Sequence, residues 1–450
     1  MGRQLWRQTW PMAIGALALL SFQLVDSAFV ARLGTEPLAA QSFTFPLSFL
    51  IIGVQVGLGI AIAALISRAL GAREQERAGR LGSLVLLIGS VTIGSLVILL
   101  WWLQAPIFRL LGADADTLAL IRDYWAPQLV AAWLGALLYF GYSLFRAHGN
   151  TRLPGKLMVV TSLINLLLDP LLIFGWGEWQ GLGLPGAAWA SVIAFACGLT
   201  IVVFTLRGKH WLTWQGLKQE ARQSAKAVLG IAGPAMISQL MPPLAAMLAI
   251  SVVAGLGQAE VAAWGLVTRL ETLSLVVVLA MTMSLPPWLG RCYGSGDWAQ
   301  IGRLMRLAAK VVVVWQLVLG VLMALLAPWV AGGLSGNPEI RDDLALLIRF
   351  LLPSYALLGL CMLVVSAGNA LGWPLRAMLM SGARLFIFYL PCLWSGAYLG
   401  GLEGLAIGAG TGNALAGLAA WQLYRSVTDK KVAAQANKKA TVRADPSRGG

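Results

Sequence analysis

Charge is what this sequence has least of. Of its 450 residues, 12% are Asp, Glu, Lys or Arg, while 58% are apolar, and the mean hydropathy is +0.76. A soluble globular domain carries about 25% charged residues. Too few charges remain here to solvate a surface of this size, so lipid must be most of the chain's solvent. A cytoplasmic enzyme, a secreted disulfide scaffold and a disordered protein are thereby excluded. Cysteine is scarce too. Cys197, Cys292, Cys361 and Cys392 lie in or beside apolar runs without CxxC spacing and read as small hydrophobes. Histidine is scarcer still: His148 and His210 stand alone at segment ends, and no metal site is expected from them. No Walker A sequence is present, the stretch 149–156 having the wrong spacing. No nucleotide or other cofactor is therefore expected, and an H⁺ or Na⁺ gradient is the remaining energy source. The net charge of +14 does not point to nucleic acid, because the basic residues are divided among short loops between apolar runs.

Long apolar runs are abundant. A spanning helix needs about 20 mostly apolar residues, and twelve candidates are present. They are 10–33, 42–66, 81–104, 125–145, 157–175 and 184–206, then 227–254, 262–289, 305–331, 345–367, 377–399 and 402–424. A polar, basic segment, 207–226, separates the two sets as a cytoplasmic linker, and a basic tail, 425–450, reads as disordered. Residues 1–25 read as an uncleaved first helix rather than a signal peptide. With the N-terminus in the cytoplasm, 27 of the 33 Lys and Arg residues fall on the inner side. The positive-inside rule therefore predicts a multi-pass membrane protein with both termini inside.

Shifted by 223 residues, the sequence matches itself without a gap over about seventy positions. Pro11 falls on Pro234, Leu33-Gly34 on Leu256-Gly257, Arg68 on Arg291, and Gly79-Arg80-Leu81 on Gly302-Arg303-Leu304. Further on, the register is expected to drift, Gly149-Asn150 answering Gly368-Asn369 and Pro170 answering Pro391. Six helices per half give both halves the same orientation. The expected fold is an all-α polytopic membrane protein, twelve transmembrane helices as two six-helix parallel repeats around a central cavity. The expected domains are an N-terminal bundle (1–206) and a C-terminal bundle (227–424). Parallel repeats of this kind are a transporter signature.

Function should lie where the halves stop matching. Asp26 falls within the first helix, opposite Ala249, and Asp169 within the fifth, opposite Tyr389 or Leu390. A carboxylate in hydrocarbon costs a few kcal/mol and is usually functional. Counting at 1.5 Å per residue puts both acids roughly 10 Å below the outer surface. Asn165 shares the Asp169 face one turn deeper, and Ser191 of the sixth helix falls at a similar depth. Such a cluster could load and release protons, or donate oxygens to Na⁺, or simply lock helices together. Pro11 and Pro170 are candidate hinges, each lacking a backbone donor. In the second half Arg269 and Glu271 form a possible second polar site; two apart on a helix, they point in different directions, so at least one needs a partner elsewhere. Methionines are concentrated after residue 207, which suits a cavity for varied apolar ligands as well as ordinary packing. Gly400, Gly404, Gly408 and Gly412 mark a close-packing face.

The chain resembles the multidrug and toxic compound extrusion (MATE) transporters, most closely their DNA-damage-inducible protein F-like branch. The first-helix pattern carries the resemblance (Pro11, Val25-Asp26, Leu33-Gly34), as do Arg146, Gly149-Asn150-Thr151 and Pro154, Asn165 to Asp169-Pro170, and Gly186 to Ser191. The resemblance implies an antiporter of the bacterial inner membrane exporting amphipathic, often cationic compounds; a monomer in the lipid bilayer is expected. It implies coupling residues at Asp26, Asn165 and Asp169, with Ser191 in place of a threonine. The acidic residues that another branch keeps in its seventh and tenth helices are missing from 239–244 and 360–365. Proton-coupled export is the leading expectation. Na⁺-coupled export, a lipid-precursor flippase of the wider superfamily and a non-transporting scaffold are the alternatives.

Overall fold

The computed structural model describes residues 2–209 and 211–444; His210 and the last six residues lie outside the described residues. The described chain is helix almost throughout. The elements are α1 (Gly2–Ala31), α2 (Thr35–Gly71), α3 (Gln75–Trp102), α4 (Gln104–Leu110), α5 (Ala115–Ala147), α6 (Arg152–Phe174) and α7 (Leu184–Arg207). They continue as α8 (Leu217–Ala254), α9 (Gln258–Ser274), α10 (Val276–Gly294), α11 (Trp298–Leu325), α12 (Ala327–Leu334), α13 (Pro338–Ala370) and α14 (Pro374–Gly382). A π-helical turn (Ala383–Tyr389) then leads into α15 (Leu390–Ala444).

Ten helices are long and apolar enough to span a bilayer, and α9 with α10, bent by 41°, makes an eleventh span. The long apolar run Pro374–Val432 is two spans folded into a hairpin. Gly400 and Gly401 leave helical geometry there, Gly401 at φ 57°. A Cβ at Gly396 or Gly404 would overlap the other residue's carbonyl. Only glycine lets the two arms approach so closely. The count is therefore twelve.

The repeat is visible in the breaks between helices. The helix pair α3 and α4 separates at Leu103, and α11 and α12 at Leu326, 223 positions on, with nearly equal dihedrals. Asp114 caps α5 by accepting from the Thr117 N–H at 2.8 Å, and Asn337, again 223 on, caps α13 by accepting from the Glu339 N–H at 3.0 Å. These side chains satisfy orphan donors of the first turn. The turn after α5 corrects the expected drift. Gly149 at φ 83° is matched by Gly372 at φ 85°, still 223 residues on, and not by Gly368. Gly368 is helical, inside α13. The left-handed turn position identifies the equivalent residue, whereas a Gly-Asn pair one turn earlier was a coincidence of sequence. The halves keep that offset up to the π-helical turn (Ala383–Tyr389), which α6 lacks, and differ again at the last hairpin, where residues 175–183 in the first half answer a tight Gly400–Gly401 turn in the second.

The chain forms two compact units, residues 6–240 and residues 241 onward with the first five residues. The boundary thus lies inside α8, not in the expected 207–226 linker. That segment is packed rather than free. Trp211 stacks on His148 with ring centres 3.9 Å apart, the Thr213 N–H donates to the Gly79 carbonyl at 3.2 Å, and a new helix starts at Leu217. Glu220, 3% exposed, receives Arg80 Nε at 3.3 Å and Arg77 Nε at 3.5 Å, and accepts from the Ser224 hydroxyl at 2.6 Å. Glu220→Gln removes the charge that two guanidiniums share. Both arginines are partly solvated, which limits the loss to about 1–2 kcal/mol. Thermal unfolding of the purified variant in detergent measures it, and an unchanged midpoint would reduce this network to decoration.

The tail also departs from expectation. The segment 425–450 reads as disordered from its charge, yet the arm of α15 after Gly401 continues as helix to Ala444. Ala and Lys are strong helix formers, and a helix already nucleated in the membrane extends at little cost. Gln435 ties it down, donating to the Gly296 carbonyl at 2.6 Å and accepting from the Trp298 N–H at 3.3 Å.

Candidate functional site

The first half is built so that polar groups from α1, α2, α5, α6 and α7 meet inside it. Asp169 is fully buried and Asn165, one turn before it on the same face of α6, is 2% exposed. The Asn165 amide joins this carboxyl to α7. In the orientation that satisfies both neighbours, Nδ2 donates to the two Asp169 oxygens at 3.2 and 3.0 Å. Its Oδ1 then accepts from the Ser191 N–H at 3.0 Å and the Ser191 hydroxyl at 2.9 Å. Turned over, Nδ2 donates to Ser191 Oγ at 2.9 Å instead. The amide therefore fits Asp169 as an acceptor in one orientation and leaves it free to donate in the other.

Asp26 comes in from α1, half-buried. The Gln41 side chain of α2 faces its carboxyl, and its charge acts on Asp169. Behind Gln41 the Tyr124 hydroxyl of α5 faces both Gln41 and Thr44. Phe29 packs edge-on against Phe174 at 6.2 Å, fixing the outer part of α1 to the end of α6. Gln41, Thr44 and Tyr124 are all buried. Sequence reasoning brought Asp26, Asn165, Asp169 and Ser191 to one level but missed these three. The asymmetry that singled out Asp26 would have found them. The positions 223 residues on are Trp264, Val267 and Leu347, all apolar. The partners assigned to Asp169 need correcting on the same ground. With the turn after α5 in register and the π-helical turn in between, its counterpart falls at Cys392 or Leu393 rather than Tyr389 or Leu390.

Both candidate hinge prolines lie inside continuous helices, Pro11 in α1 and Pro170 in α6. Next to Pro11, α1 and α6 cross backbone to backbone. A Cβ on Gly155 would overlap the Pro11 carbonyl, and one on Gly15 would meet Met158 Sδ at 2.9 Å.

In the second half, Arg269 and Glu271 part company, as their spacing on α9 requires. Arg269 is exposed. Glu271 accepts a hydrogen bond from the Tyr355 hydroxyl of α13 at 2.9 Å, with Arg384 and Tyr389 of the π-helical turn near enough to interact with its charge. Glu271→Gln keeps an acceptor for Tyr355, whereas Tyr355→Phe removes a donor from a half-buried carboxyl. We expect Tyr355→Phe to lose about 1–3 kcal/mol and Glu271→Gln clearly less, as read by thermal unfolding. Equal losses would show that the charge, not the hydrogen bond, holds this contact.

Comparison with known proteins follows the same two-fold pattern. A family model described as MatE matches the chain twice, over residues 11–171 and 234–394, 223 residues apart. A protein of Shewanella oneidensis named as a FAD transporter is 33% identical over 431 residues, 95% of each chain. The probable multidrug resistance protein YoeA of Bacillus subtilis is 28% identical, over 78% of each chain. Among solved structures, the Vibrio cholerae MATE transporter VcmN in its bent form is 47% identical with a TM-score of 0.92, covering 96% of this chain and 97% of that one.

Proposed function

Since the chain belongs to the MATE family of membrane transporters, and is therefore not an enzyme, we propose that it is a proton-coupled exporter of amphipathic, often cationic compounds. The observation that carries this reading is the acid cluster of the first half. Asp26 and Asp169 are placed in an apolar bundle, and among the described residues no Lys or Arg forms an ion pair with either. Two like charges there are costly, and protons relieve the cost. The relatives named as multidrug resistance proteins support the substrate class.

In this mechanism the outer side delivers a proton to Asp26. The Asp26–Asp169 repulsion falls, and the restraint that the two charges place on α1 is lifted. Freed from that arrangement, α1 bends near Pro11 or beside Asp26, and substrate is expelled. Loss of the proton to the inner side restores the straight helix and the binding-competent state. The direction assumes both termini in the cytoplasm, which the distribution of basic residues supports. The coupling ion and the substrate need not share atoms. The protein would act as a monomer and draw on the ion gradient alone.

The test is efflux of ethidium or norfloxacin from everted vesicles, driven by a pH gradient and separately by a Na⁺ gradient. Export with the pH gradient and none with Na⁺ is expected. Export with Na⁺ alone would reassign the cluster to Na⁺ ligation. The 33% identity to a FAD transporter over nearly the whole chain favours one second reading, in which a flavin nucleotide is the physiological cargo. Flavin release by cells with and without the protein, measured beside drug efflux, separates the two.

A further inference from the structure

The second half holds a charged cluster within its spans that proton coupling in the first half does not use. Glu271, Tyr355 and Arg384 answer Ser48, Ala132 and Thr161, 223 residues earlier. The Thr161 hydroxyl bonds only within its own helix, to the Leu157 and Met158 carbonyls. An acid, a phenol and a guanidinium are therefore brought together in the second half at positions where the first has none of them.

Each charge sits where a helix departs from regular geometry. Glu271 lies one turn before Leu275, where α9 and α10 meet at 41°. Its carbonyl accepts from the Leu275 N–H at 3.0 Å and from the Ser274 hydroxyl at 2.9 Å, which fixes the end of α9. Arg384 is the second residue of the π-helical turn. It follows the start of α14 at Pro374 by ten residues, about 15 Å of helix. Single π-helical turns inside α-helices recur at functional sites, and membrane transporters hold substrate near the midplane between interrupted helices.

The two charges act on each other without bonding. Glu271 accepts from the Tyr355 hydroxyl instead, at 2.9 Å. Arg384 is half-buried and forms no ion pair among the described residues. Its Nε is closed off and has no hydrogen-bond partner, so an anion must come to the terminal nitrogens. A guanidinium at this depth is costly without a counter-charge. An anion alone would be repelled by Glu271, and a cation alone by Arg384. A molecule carrying both signs satisfies both groups at once.

We propose that this cluster is a subsite for zwitterionic cargo, with Arg384 taking a carboxylate and Glu271 an ammonium group. Tyr355 holds the Glu271 carboxyl in place from α13. The subsite presupposes export of small amphipathic compounds, and it selects among them.

The experiment measures equilibrium binding to the full chain in detergent at neutral pH. Norfloxacin carries a carboxylate and a piperazinium, its ethyl ester only the piperazinium, and ethidium a fixed cation. The native protein should prefer norfloxacin to the ester about tenfold, the scale of one charge-assisted hydrogen bond. Arg384→Gln should abolish that preference, and Arg384→Lys should keep part of it. Glu271→Gln should weaken norfloxacin and its ester together. Arg269→Gln removes an exposed cation from the same helix as Glu271 and should leave the preference unchanged. Ethidium should bind Arg384→Gln at least as well as the native protein, which shows that the variant is folded. Equal binding of norfloxacin and its ester, or a preference that survives Arg384→Gln, overturns the subsite. Binding of ethidium without norfloxacin also overturns it and leaves the export reading standing, whereas failure of all three compounds to bind overturns both.

Discussion

Asp26→Asn is expected to bring export to the level of cells lacking the protein, with the variant present in the membrane in normal amount. The substitution is nearly isosteric, and the amide can still meet the Gln41 side chain that faces this position. It removes only the capacity to exchange a proton. One charge moving through 100 mV supplies about 2.3 kcal/mol, enough for roughly fifty-fold accumulation of a neutral solute. The whole of that gradient should vanish, not a fraction of it. In proteoliposomes, substrate added to the native protein should release protons, and substrate added to the variant should not, although equilibrium binding persists. Asp169→Asn should be less complete, because the amide of Asn165 already serves that carboxyl and can pair with an amide in its place. Normal drug resistance in the Asp26→Asn strain would eliminate the proton mechanism at once.

The fold was legible because membrane solvent leaves so few solutions. Twelve apolar runs, their basic loops and the 223-residue repeat define the spans, and the break at Gly400 and Gly401 falls between the last two runs. What misled was polarity, read as a linker in 207–226 and as disorder in the tail. The stretch 207–226 and the tail are charged, but Trp211, Thr213 and Glu220 pack the first against the unit before it, and the tail inherits its helix from α15. Such contacts are long-range, and no local pattern announces them.

The site divides in the same way. Asp26 and Asp169 stand out because a carboxyl in an apolar run is conspicuous by itself. Asn165 and Ser191 follow from helical spacing. Gln41, Thr44 and Tyr124 do not stand out, since a lone Gln, Thr or Tyr in a membrane helix is unremarkable. They become visible only when each half is subtracted from the other, leaving Trp264, Val267 and Leu347 as the apolar reference. The first half has thus gained a connected polar core at positions where the second remains packed with apolar side chains. That difference locates the chemistry more sharply than any single residue does.

Gly155→Ala is expected to lose both stability and transport. An alanine in place of a helical glycine ordinarily stabilises, by about 1 kcal/mol. At Gly155 the added Cβ would overlap the carbonyl oxygen of Pro11, a backbone atom that cannot rotate away. The helices α1 and α6 must then separate, at a cost of about 1–3 kcal/mol for overpacking. The consequence for transport is larger, because α1 carries Asp26 and α6 carries Asn165 and Asp169. A shift at their crossing displaces the acids relative to one another. The residues 223 positions beyond Gly15 and Gly155 are Ser238 and Met378, so neither glycine recurs in the repeat. Gly230→Ala provides the control, since a Cβ there meets nothing within 4 Å. It should unfold no earlier than the native protein and export normally, while Gly155→Ala unfolds earlier and loses most of its efflux. If Gly155→Ala matched Gly230→Ala in both measurements, the crossing at Pro11 would have no part in positioning the acids, and the bend would have to be sought higher in α1, beside Asp26.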